Sequence, residues 1–130
     1  SIPGASAILK GCLVTYLTPM KSVLAHVDVN LIQNYGVISE ECAYAMAKNT
    51  REIMDVDYCV SFTGNAGPSA WEEKPAGRVY CAFASKKAVR VYGFQCTGLS
   101  RNDVREHVVC QMIDILIQTI QKENICQKKK

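Results

Sequence analysis

Ser6, Tyr16 and Lys21 lie close together near the start of the chain, and their side-chain types fit nucleophilic chemistry. A serine hydroxyl is a weak nucleophile until a base takes its proton. A lysine can be that base when its pKa is drawn from about 10.4 towards roughly 7–8. Lys21 is expected in the first turn of a helix, where the positive end of the helix dipole disfavours the ammonium, and Met20 and Val23 are expected to help desolvate it. Tyr16, closing an apolar run, is placed to relay a proton or orient the lysine. Spacing alone equally describes a capping serine, a tyrosine with a buried ring and a surface lysine.

Two further groups could receive a substrate. The loop "TGNAGP", residues 63–68, follows the apolar run "DYCVSF", and its glycines Gly64 and Gly67 would let backbone N–H groups approach a phosphate or a developing oxyanion. The same pattern serves ordinary turn chemistry, and it is neither a Walker loop nor a GxGxxG fingerprint. In "SRNDVREH", Arg101 and Arg105 share one face at the start of a helix, a good receptor for phosphate or carboxylate; a surface network with Asp103 is the other reading.

These residues must be held by an alternation of element types. Residues 7–16 read as a strand with a glycine break, followed by a helix with Thr18 as N-cap and Pro19 in its first position. A second helix opens at Ser39 with two acids in its first turn and an apolar face of Cys42, Ala43, Met46, Ala47, Ile53 and Met54. "DYCVSFT", "GRVYCAFAS" and "AVRVYGFQC" read as strands, the last two joined by a tight hairpin at Lys86 and Lys87. A long amphipathic helix follows, with Val104, Val108, Met112, Ile115, Leu116 and Ile120 on one side. This order predicts a single α/β domain over residues 1–130, layered α/β/α on a mixed sheet, with residues 124–130 as a solvated basic tail.

Composition narrows the classes of function. The chain has 130 residues, 48% of them hydrophobic, enough for one core. Much of the net charge of +3 comes from the terminal lysines rather than from a basic stripe with aromatics, which argues against nucleic acid as a partner. No apolar run approaches the roughly 20 residues that span a bilayer, so no membrane partner is expected. Seven cysteines without a CxxC, scattered through core-like runs, fit a reducing cytoplasm. His26 and His107 stand near no second ligand, so neither a metal nor a cofactor site is read.

Taken in order, "SIPGAS", "VTY" followed by Lys21, "GVISEECAYAMA", "VSFTGNAGP", "EEKPAGRVY" and "LSRNDVREH" resemble the successive motifs of the C-terminal domain of the CinA, or competence/damage-inducible, family. The resemblance runs from Ile2 to about Lys122. It implies an α/β/α fold, a tendency to form homo-oligomers, and hydrolysis of nicotinamide mononucleotide to nicotinic acid mononucleotide and ammonia without a metal. It further implies Ser6, Tyr16 and Lys21 as the catalytic set. Thr63, with the backbone of Gly64, Ala66 and Gly67, would bind substrate, as would Lys74, Arg101 and Arg105. The family begins with a further helix and strand ending in "ESCTGG". Nothing of that kind precedes Ser1, and the segment is expected to have been lost or to belong to a longer precursor. His26 stands where the family has glycine, and "GPSAW" replaces "GPDGG", so that Trp71 would stack on the nicotinamide or block it. A non-catalytic homologue that binds a nucleotide or a protein, or serves in oligomerisation, is the alternative reading.

Overall fold

The computed structural model describes residues 2–129. Its sheet has three strands in the order β1 (Cys59–Asn65), β2 (Arg78–Ala84), β3 (Val89–Gln95), and both pairings are antiparallel. The mixed sheet expected from the sequence is therefore antiparallel throughout its described strands. The β2–β3 hairpin turns at Lys86 and Lys87 as expected, with the Ser85 N–H donating to the Ala88 carbonyl at 2.9 Å.

β2 explains the layering. Its even-numbered residues Tyr80, Ala82 and Ala84 join one core with Ala25, Ile38, Cys42, Ala43 and Ala47. Its odd-numbered Val79, Cys81 and Phe83 join the other with Val104, Val108 and Met112. A strand buried on both faces must be central, and here helices cover both sides, giving the α/β/α class. One helical layer is formed by α1 (Thr18–Ala25), α2 (Val29–Tyr35) and α3 (Glu40–Met54), the other by α4 (Arg101–Lys128).

Local chemistry sets the helix ends. Ser39 caps α3, accepting from the Cys42 N–H at 3.1 Å, and Glu40 and Glu41 occupy the first turn, where acids suit the dipole. The Ser100 hydroxyl caps α4 in the same way. α1 starts one residue earlier than the sequence suggests: Leu17 is its N-cap and Thr18 is already helical. Its C-cap, His26, has φ +50°. That left-handed conformation favours glycine, the residue that the resembling family carries there.

One further expectation fails. Residues 8–16 form no strand; they follow a short 3-10 turn at Ala5–Ala7 as extended chain, with Ile8 89% and Val14 76% exposed. β-Propensity alone does not make a strand, since the ladder needs a partner. The basic tail is helical as far as Lys128, because α4 continues through it, although it stays exposed. No helix in the described residues is long and apolar enough to cross a membrane.

Candidate active site

The extended segment, α1 and the sheet edge enclose an open groove of about 1630 Å³. Ser6, Tyr16 and Lys21 line it, as do Thr63, Gly64, Ala66, Gly67, Trp71 and Arg101. β1 is an edge strand, and the groove runs along its whole length and on into the loop that leaves its carboxyl end, the usual ligand position in α/β sheets.

Lys21 is the distinctive group. It shares the inner face of α1 with Ala25, four residues on, and is only 7% exposed. Its Nζ donates to the Thr15 carbonyl at 2.7 Å. Burial pulls its pKa down, and the nearby Cys42 and Glu72 partly oppose the shift. The desolvation does not come from Val23, which is 61% exposed. It comes from the position of the lysine beneath the loop and against α3, a placement invisible in the local sequence.

Ser6 and Tyr16 are exposed, and no hydrogen bond joins either to Lys21, whose bond goes to Thr15. All three residues thus line the groove, but no hydrogen bond joins them. Thr63 is buried at the end of β1 and donates its hydroxyl hydrogen to the Val37 carbonyl, tying the strand to the chain that enters α3. Arg101 Nη1 donates to the Gly67 carbonyl at 3.0 Å, so it braces the loop and does not pair with Asp103. Asp103 instead accepts from the Ser100 hydroxyl. Arg105 and Lys74 are absent from the groove wall; Lys74 closes a turn through paired backbone hydrogen bonds with Trp71.

The loop glycines have structural reasons of their own. A Cβ on Gly64 would lie 2.7 Å from the Arg78 carbonyl oxygen, so the close approach that requires glycine there is to β2. Gly67 has φ +88°. Sequence reasoning missed Glu72, whose carboxylate accepts from the Val37 N–H at 3.0 Å and the Ile38 N–H at 3.1 Å. Only the adjacency of "GVIS" and "EEKP" in space reveals it. Cys42, buried against α3's own Met46, has its thiol pushed up to about 11, chiefly by burial, and is not a nucleophile.

Fold and groove together define an α/β/α layered domain with a lysine-centred trough along its edge strand. The family model for the CinA C-terminal domain matches residues 1–120, and the chain belongs to that family. It is 44% identical over 85 residues to a CinA-like protein of Thermosipho melanesiensis, covering 64% of this chain and 21% of that protein. To a CinA-like protein of Endomicrobium trichonymphae it is 36% identical over 116 residues, covering 88% of this chain and 27% of the relative. The chain thus spans between about a fifth and three tenths of the curated relatives it matches. The crystal structure of competence/damage inducible protein CihA from Agrobacterium tumefaciens superposes with a TM-score of 0.85 at 27% identity, over 90% of this chain and 72% of that one.

Proposed function

We propose that the chain hydrolyses the carboxamide of nicotinamide mononucleotide, giving nicotinic acid mononucleotide and ammonia by a serine–lysine mechanism. The observation that carries this reading is Lys21, a lysine 7% exposed in a groove wall with its pKa lowered by burial. A structural lysine would keep its ammonium in water; a general base needs the opposite.

In the proposed reaction, neutral Lys21 Nζ donates one hydrogen to the Thr15 carbonyl and directs its lone pair at Ser6 Oγ. As Lys21 takes the hydroxyl proton, Oγ bonds to the carboxamide carbon and the carbonyl electron pair moves onto oxygen. The C–N bond then breaks, the leaving nitrogen takes the proton from the Lys21 ammonium, and ammonia departs. Water, deprotonated in turn by Lys21, cleaves the ester, and the proton returns to Ser6. Ser6 must close on Lys21 for the first step, a movement of the exposed Ala5–Ala7 turn. Tyr16 lines the same groove and orients the lysine or relays its proton. Thr63 and the loop from Gly64 through Ala66 to Gly67 contact the substrate, and Arg101, Arg105 and Lys74 supply positive charge for the 5′-phosphate. A homo-oligomer in the cytoplasm is part of this proposal.

The test is ammonia release from nicotinamide mononucleotide by the chain and by its Lys21→Ala and Ser6→Ala variants. Release is expected from the wild type and a fall of at least about 10³-fold in each variant. Undiminished release by Lys21→Ala would sink the mechanism. A second reading, nucleotide binding without turnover, is favoured by the separation of Ser6 and Tyr16 from Lys21. It predicts a raised Tm with nucleotide and no ammonia.

A further inference from the structure

The Glu72 carboxylate ties together two segments that lie 34 and 35 residues apart in the chain. Trp71 and Lys74 form an isolated two-residue hairpin turn, with the Lys74 N–H donating to the Trp71 carbonyl at 2.8 Å. Its central residues, Glu72 and Glu73, have φ +50° and +59°, angles that such turns normally give to Asn-Gly. From this turn the Glu72 side chain crosses to the chain ahead of α3 and accepts from the Val37 and Ile38 N–H groups.

The receiving pocket has features of a ligand site beyond those two donors. Gly36 has φ +78°, and a Cβ there would stand 2.6 Å from Glu72 Oε2, so a side chain at this position would press on the carboxylate where it now sits. The Val37 carbonyl is held by Thr63, which fixes the plane of the Val37–Ile38 peptide and so the direction in which the Ile38 N–H points. Val37 and Ile38 line the same groove as Lys21, and the Glu72 charge reaches the lysine.

We propose that the Val37 and Ile38 N–H groups, opened by Gly36 and set near Lys21, form a carboxylate-binding subsite. Glu72 fills it in the free chain as an internal competitor that a ligand carboxylate displaces. The ligand class is a carboxylate, and its extension to nicotinate and its nucleotide rests on the amidohydrolase reading. On that reading, the amide oxygen that gains negative charge during hydrolysis, and the product carboxylate that follows, sit where Glu72 sits now. The 71–74 turn then opens when substrate enters and recloses when product leaves. Occlusion lowers apparent affinity by the fraction of chains that are open, so removing the plug tightens binding without adding a contact.

The experiment titrates nicotinate and nicotinic acid mononucleotide into the isotope-labelled full chain and into its Glu72→Ala and Glu72→Gln forms. It follows the Val37 and Ile38 amide signals, with thermal melts to show that each variant is folded. Both variants are expected to bind nicotinate about ten-fold more tightly than the wild type, with those two amides moving, while uncharged nicotinamide gains less. Equal or weaker nicotinate binding by folded variants, or tightening without movement of the two amides, overturns the proposal. Should Glu72→Ala fail to fold, the near-isosteric Glu72→Gln decides alone. Tightened nicotinate binding in a chain that releases no ammonia would uphold the subsite and reject the amidase. Ammonia release with no gain in the variants would do the reverse.

Discussion

Lys21 shows how far a residue type can be read from its neighbours. The sequence places it in the first turn of a helix and predicts a lowered pKa from the dipole and from Met20 and Val23. The lowering is present but its main cause is burial, and Val23 points into solvent. The consequence is a pH dependence with a definite sign. Lys21 works as a base only when neutral, so kcat/KM should rise with pH and level off above a pKa lying below the ordinary 10.5. Glu72 raises that pKa by its charge, so Glu72→Gln should move the rising limb to lower pH, as pH–rate profiles of the two forms would reveal. A limb that stays in place would mean that Glu72 does not reach the lysine. His26 offers a second residue-scale test. Its left-handed φ of +50° costs energy that glycine avoids, and His26→Gly should stabilise the fold by about 1 kcal/mol, measured as a higher denaturation midpoint.

At the scale of elements, caps and turns were legible because their chemistry is local. Ser39 accepts from the backbone N–H three residues on, and the Lys86–Lys87 hairpin closes as two strand-forming runs around a polar pair require. Ser39→Ala should cost about 1 kcal/mol in chemical denaturation, by loss of the α3 cap. Residues 8–16 were not legible in this way. Their apolar residues suit a strand, but a strand forms only against a neighbour, and here Ile8, Leu9 and Val14 lie in solvent beside the β1 edge. Gly64 shows the converse. Its place in a glycine-loosened loop suggested room for a phosphate, whereas the close neighbour is β2. Gly64→Ala is therefore expected to lower thermal stability in the absence of any ligand, because its Cβ would press on the Arg78 carbonyl and the Val79 Cα.

For the whole molecule, the two cores on either side of β2 hold the layers together. Met112, 1% exposed, joins α4 to Val79, Cys81 and Phe83, and Met112→Ala should destabilise by about 2–5 kcal/mol in denaturant unfolding. A loss below about 1 kcal/mol would mean that α4 contributes little to the sheet. The sequence by itself determined the α/β class, the α3 cap at Ser39, the apolar stripe of α4 and much of that of α3, and the membership that its ordered motifs imply. All of these depend on residues adjacent in the chain or spaced by one helical or strand period. Tertiary structure alone decided that the sheet is antiparallel, that residues 8–16 stay unpaired, and that Thr63, Val37 and Glu72 converge beside a buried Lys21. Those outcomes depend on contacts between segments tens of residues apart. Whether a lysine is dry, or a carboxylate finds two N–H donors, follows from what folds over it, and no local pattern encodes that.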